Sequence, residues 1–112
     1  MPARTFTYDE ALALFPRVRS LTAAAVRRVE TLSSAVRSRE EGEERRTELE
    51  ETFQVIVTEW ARRVRSLGAE VKGLWLVDFD SGDGYYCWRW PEEVLGHFHD
   101  SEQGFADRLP VQ

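Results

Sequence analysis

Residues 74–90, LWLVDFDSGDGYYCWRW, decide how this chain folds. Two runs rich in aromatic and β-favouring residues, 74–79 and 85–90, flank Asp80-Ser81-Gly82-Asp83-Gly84, whose residues tolerate the positive φ angles of a tight turn. The alternation predicts a β-hairpin. Pro91-Glu92-Glu93 turns the chain again, and residues 94–99 complete a three-stranded antiparallel meander. If all five turn residues form the loop, Leu74, Leu76, Asp78, Tyr86, Trp88 and Trp90 share one face. Trp75, Val77, Phe79, Tyr85, Cys87 and Arg89 then share the other. Both faces are rich in apolar side chains, so each needs cover.

Upstream of Gly73 the period is helical. Leu14, Val18, Leu21, Ala25, Val29, Leu32 and Val36 recur at steps of three and four, and so do Leu49, Phe53, Ile56, Trp60, Val64 and Leu67. Thr7 with Glu10 reads as a capping box, with Phe6 placed to staple onto Ala11 or Leu12. Gly68 suits the left-handed residue that ends a helix. Between the stripes, Arg39 to Arg46 contains no apolar residue and reads as a turn, although one glycine, Gly42, would not by itself forbid a continuous helix. A hairpin lets the stripes bury each other in the manner of a short antiparallel coiled coil. The predicted fold is α+β: a long antiparallel two-helix hairpin over 7–68, then a small three-stranded meander and an irregular C-terminal tail over 69–112, in one domain.

Composition narrows the function classes. A content of 42% hydrophobic and 31% charged residues in 112 fits a globular, helix-rich chain. No apolar run has the length of a membrane span or of an export signal, and Cys87 has no second cysteine to pair with, so a reducing cytoplasm is expected. Residues 1–68 hold twelve arginines against eleven acids, a net +1, whereas 69–112 hold three basic residues against nine acids, a net −6. An acidic sheet half repels phosphate and argues against nucleic acid as a partner.

Several residues could carry chemistry. His97 and His99 lie two apart, so on a strand they point to one side, and with Asp100 they form a possible zinc or iron ligand set; otherwise His99 bonds a carbonyl or Asp78 and orders the tail. Cys87 is either a nucleophile with His99 as base or a small apolar residue of the sheet. Asp78 in an apolar strand needs a partner, for which Arg89 or Arg108 would serve. The sheet aromatics are read as packing, and the helix arginines, mixed with glutamates, as solvated faces.

The opening Phe6-Thr7-Tyr8-Asp9-Glu10-Ala11, with Leu14, Pro16 and Val18, resembles the start of a bacterial domain-of-unknown-function family, number 2203. Leu76-Val77-Asp78-Phe79, Cys87-Trp88-Arg89, His99-Asp100, Gly104-Phe105-Ala106 and Arg108 with Pro110 carry the likeness to the end. The chain has Asp80, Asp107 and Leu109 where that family tends to have Pro, Gly and Gln. The resemblance implies no activity; it points to Asp78, Cys87, Trp88, Glu92, His99, Asp100 and Arg108. The first expectation is therefore a non-enzymatic interaction or small-ligand-binding domain that acts as a homodimer and needs no cofactor. The second is a metal-binding domain or metal-dependent enzyme built around His99 and Asp100.

Overall fold

The computed structural model describes residues 4–37 and 42–111. Helix α1 (Tyr8–Arg37) opens on the predicted capping box. The Thr7 N–H donates to Glu10 Oε1 at 2.8 Å, and the Glu10 N–H donates to Thr7 Oγ1 at 3.1 Å. Phe6 is buried edge-on against Phe79, with ring centroids 5.4 Å apart, whereas Leu12 stays exposed and takes no part in a staple. Pro16 is accommodated inside α1. Helix α2 (Glu43–Ser66) begins afresh after Gly42, whose extended backbone (φ −73, ψ 174) rules out one continuous helix. Residues 38–41, which include Arg39, Glu40 and Glu41 of the expected turn, lie outside the described residues, as does the side chain of Val36. Val18, Ala25, Ile56, Trp60 and Val64 join one core, and Trp60 Nε1 donates to Thr22 Oγ1 at 2.8 Å across the helix pair. Gly68, at φ +98, ends the helical segment in the left-handed region, as expected.

Among the described residues five strands follow, two more than expected: β1 (Glu70–Gly73), β2 (Leu76–Asp80), β3 (Gly84–Arg89), β4 (His97–Asp100) and β5 (Leu109–Pro110). They lie in sequence order, each antiparallel to the next. Strand β1 escapes the pattern because Val71 is its one apolar residue. Leu74 and Trp75 are the two-residue turn joining β1 to β2 rather than the start of a strand. Trp75 takes φ 59, uncommon for a bulky residue, with its ring edge-on to Trp60 at 4.9 Å. The third predicted strand starts later, at His97; Leu95 before it is buried, and its carbonyl accepts from the Tyr8 hydroxyl at 2.7 Å. The tail is less irregular than expected, with a 3₁₀ turn (Phe105–Asp107) and then β5, which pairs with β4.

The two faces also differ from expectation. Asp80 pairs with Tyr85, so that last pair encloses four residues, 81–84, rather than five, and the register moves by one. Val77, Phe79, Tyr86 and Trp88 consequently share the face that packs on the helices. Leu76, Asp78, Tyr85, Cys87 and Arg89 share the outer face, part of which the tail covers through Phe105. Among the described residues, no helix is long and apolar enough to cross a membrane.

Candidate functional site

Strand pairing assembles the site. Asp78 lies directly across from Cys87, and Tyr85 directly across from His99, so β2, β3 and β4 bring Asp78, Cys87 and His99 to the outer face. All three are buried: Asp78 is 2% exposed, Cys87 1% and His99 4%. His99 Nε2 is 2.8 Å from Asp78 Oδ2, and His99 Nδ1 is 2.9 Å from the Asp100 carbonyl oxygen. Asp78 Oδ1 is buried and, among the described residues, has no hydrogen-bond partner. Beside the three lies a cavity of about 230 Å³, lined also by Lys72, Tyr85 and Phe105.

Cys87 is held as a thiol. Burial first, then the charge of Asp78, push its pKa up to about 12, with Arg108 pulling the other way. Both ring nitrogens of His99 already face other acceptors, so the arrangement of a thiolate with a free imidazole base is not formed.

A second cluster sits beside the first. Arg108 donates through Nη1 to Glu92 Oε1 at 2.9 Å and through Nη2 to Glu92 Oε2, and its guanidinium lies 4.1 Å from the centroid of Phe105. The Arg89 backbone N–H adds 2.9 Å to Glu92 Oε1. Burial works to raise the pKa of Glu92, but the Arg108 and Arg89 hydrogen bonds and the Arg108 charge leave it below the ordinary carboxylate value.

The residues named from sequence thus separate into groups. Asp78, Cys87 and His99 converge. Glu92 and Arg108 form the neighbouring clamp, so the carboxylate that Arg108 holds is Glu92 rather than Asp78, and the partner of Asp78 is His99 rather than Arg89 or Arg108. Trp88 lies on the opposite, helix-facing side of the sheet, its Nε1 donating to the Glu92 carbonyl at 2.7 Å. The set of His97, His99 and Asp100 does not come together. Adjacent strand residues point to opposite faces, so Asp100 is exposed and contributes only its carbonyl, while His97 Nδ1 is 3.9 Å from Glu92 Oε2. Lys72 was not singled out from sequence, and recognising β1 would have placed it; Tyr85 was read among the packing aromatics on the face of Cys87, and a turn enclosing four residues would have brought Asp78 to that face.

Among known proteins, no curated sequence and no solved structure matches the chain. The model of one family, described as "Uncharacterized conserved protein (DUF2203)", matches residues 4–111, and the chain therefore belongs to that family.

Proposed function

We propose that this is a non-enzymatic small-ligand-binding domain that takes its ligand between the outer sheet face and the tail. One observation carries the reading: a buried carboxylate, Asp78, keeps Oδ1 unpartnered beside a cavity of about 230 Å³. An unsatisfied buried acceptor costs about 1–3 kcal/mol, and more when charged, unless a ligand supplies a cation or a donor. At about 30 Å³ per water, the space admits a small ligand only. The thiol state of Cys87 favours binding over nucleophilic chemistry. Native mass spectrometry of the chain purified from cells without chelator is expected to show one non-covalent adduct per chain, lost in Asp78→Asn. A spectrum of bare 13.0 kDa chain and its oligomers would overturn the reading.

A second reading, of assembly, rests on a different surface. Val55 is 59% exposed on α2, and Gln54, Thr58 and Arg62 flank it around a shallow apolar groove. Phe15, also off the main stripe, is already buried against Trp88, so Val55 and Leu12 are what pairing would cover. Two hairpins packed as a four-helix bundle would bury them. Light scattering at micromolar concentration is expected to give twice 13.0 kDa; a mass of one chain would exclude the homodimer.

A further inference from the structure

We propose that the ligand is a zinc-class divalent ion, held by Asp78 Oδ, Cys87 Sγ and His99 Nε2, with its fourth position open to the cavity. This rests on the ligand-binding reading above and names the ligand. The ligand atoms of the three residues all lie within 4.8 Å of one another. Tetrahedral bonds of about 2.0–2.3 Å need donor separations of roughly 3.3–3.6 Å, so the Asp78–His99 contact has to open by only about half an ångström. One oxygen, one nitrogen and one sulfur suit zinc, whereas magnesium and calcium call for oxygen alone.

The hydrogen bonding of His99 makes the case more specific. A carbonyl can only accept, so the contact with the Asp100 carbonyl places a proton on Nδ1. The Nε2 lone pair of a neutral ring then points at Asp78 Oδ2, 2.8 Å away, where two lone pairs would repel. A proton or a cation must lie between them. A backbone carbonyl that fixes Nδ1–H and aims Nε2 is also the usual outer support of a histidine metal ligand. Binding of the ion displaces the proton shared by His99 and Asp78 and the thiol proton of Cys87. Two protons leave as one doubly charged ion enters, so the buried charge is unchanged and the usual penalty for burying net charge does not arise. The unpartnered Asp78 Oδ1 allows the carboxylate to turn toward the ion without breaking another bond.

The test is titration of the chelator-stripped full chain with cobalt(II), followed by zinc competition. The expected result is one cobalt per chain with visible bands of tetrahedral intensity and a thiolate-to-cobalt charge-transfer band, displaced by zinc. Cys87→Ser, close in volume, should lose the charge-transfer band and weaken binding by more than about 100-fold, beyond the 10–100-fold typical of outer-shell changes. Asp100→Asn and His97→Ala should leave affinity within about threefold, because neither side chain offers an atom to the set that lies within 4.8 Å; circular dichroism checks that each variant is folded. Wild-type protein without a charge-transfer band, or loss of affinity in His97→Ala matching that in Cys87→Ser, would overturn the assignment. An organic adduct in the native spectrum with no cobalt binding would overturn the metal while leaving the ligand-binding reading in place.

Discussion

Trp88→Ala is expected to cost about 3–5 kcal/mol of folding stability, and Trp60→Ala a similar amount. Trp88 is fully buried where β3 meets the helices; its ring stands edge-on to Phe15 at 5.4 Å and to Trp90 at 6.4 Å. Truncation removes the hydrophobic burial, leaves a void that the stacked aromatics cannot fill by small shifts, and frees the Glu92 carbonyl that Nε1 now supplies. Trp60 links the two helices through Thr22 and also supports Trp75 at the β1–β2 turn. Urea melts read the effect. A loss below about 1 kcal/mol for either variant would contradict a core role.

The second large effect concerns Asp78 and His99, measured in the presence of chelator. Removing one member of a buried hydrogen-bonded pair leaves the other unsatisfied, at a cost of about 3–5 kcal/mol where the group left behind is charged. Asp78→Leu and His99→Leu are each expected to fall in that range. The double variant should recover most of the loss, since an apolar pair needs no partner. The sign of the coupling is thus the diagnostic: additive single losses would mean that the 2.8 Å contact contributes nothing specific. Asp78→Asn with an unchanged melting temperature would argue that the pair is not structural and that its geometry serves binding.

The helical half was legible because it follows a rule readable one residue at a time. The stripe from Leu14 to Leu32, the Thr7–Glu10 box and Gly68 each fix a local conformation, and local terms suffice for a hairpin of this length. The sheet obeys non-local terms. Its class follows from the aromatic alternation, but its faces depend on whether Gly84 belongs to the turn or to the strand, and both choices suit the same residues. Gly84 faces Asp100 in the ladder, a partner sixteen positions away that no local pattern reveals. Strand β1 hid behind Glu70 and Lys72, whose charges pair with each other at 3.0 Å at the sheet edge. The site was legible as a set of residue types: Asp78, Cys87 and His99 were all named. Part of their grouping was too, since His99 was read as bonding a carbonyl or Asp78 and it contacts both; the set of His97, His99 and Asp100 failed, because neighbours in sequence such as His99 and Asp100 diverge on a strand.

The turn of four residues, 81–84, that the Asp80–Tyr85 pair encloses carries a consequence for how this chain can vary over evolution. Most surface turns accept an inserted or deleted residue at little cost, because the flanking strands keep their register and the extra backbone bulges into solvent. Here, if the hairpin re-registers around a loop that is one residue longer or shorter, every side chain on one strand crosses to the opposite face. Cys87 would be driven toward the helices, and Trp88 would emerge beneath the tail. Such an indel would strike the hydrophobic core and the polar trio together. Drift in loop length should therefore be tolerated only in even steps, or where a compensating bulge restores the pairing of Asp78 with Cys87.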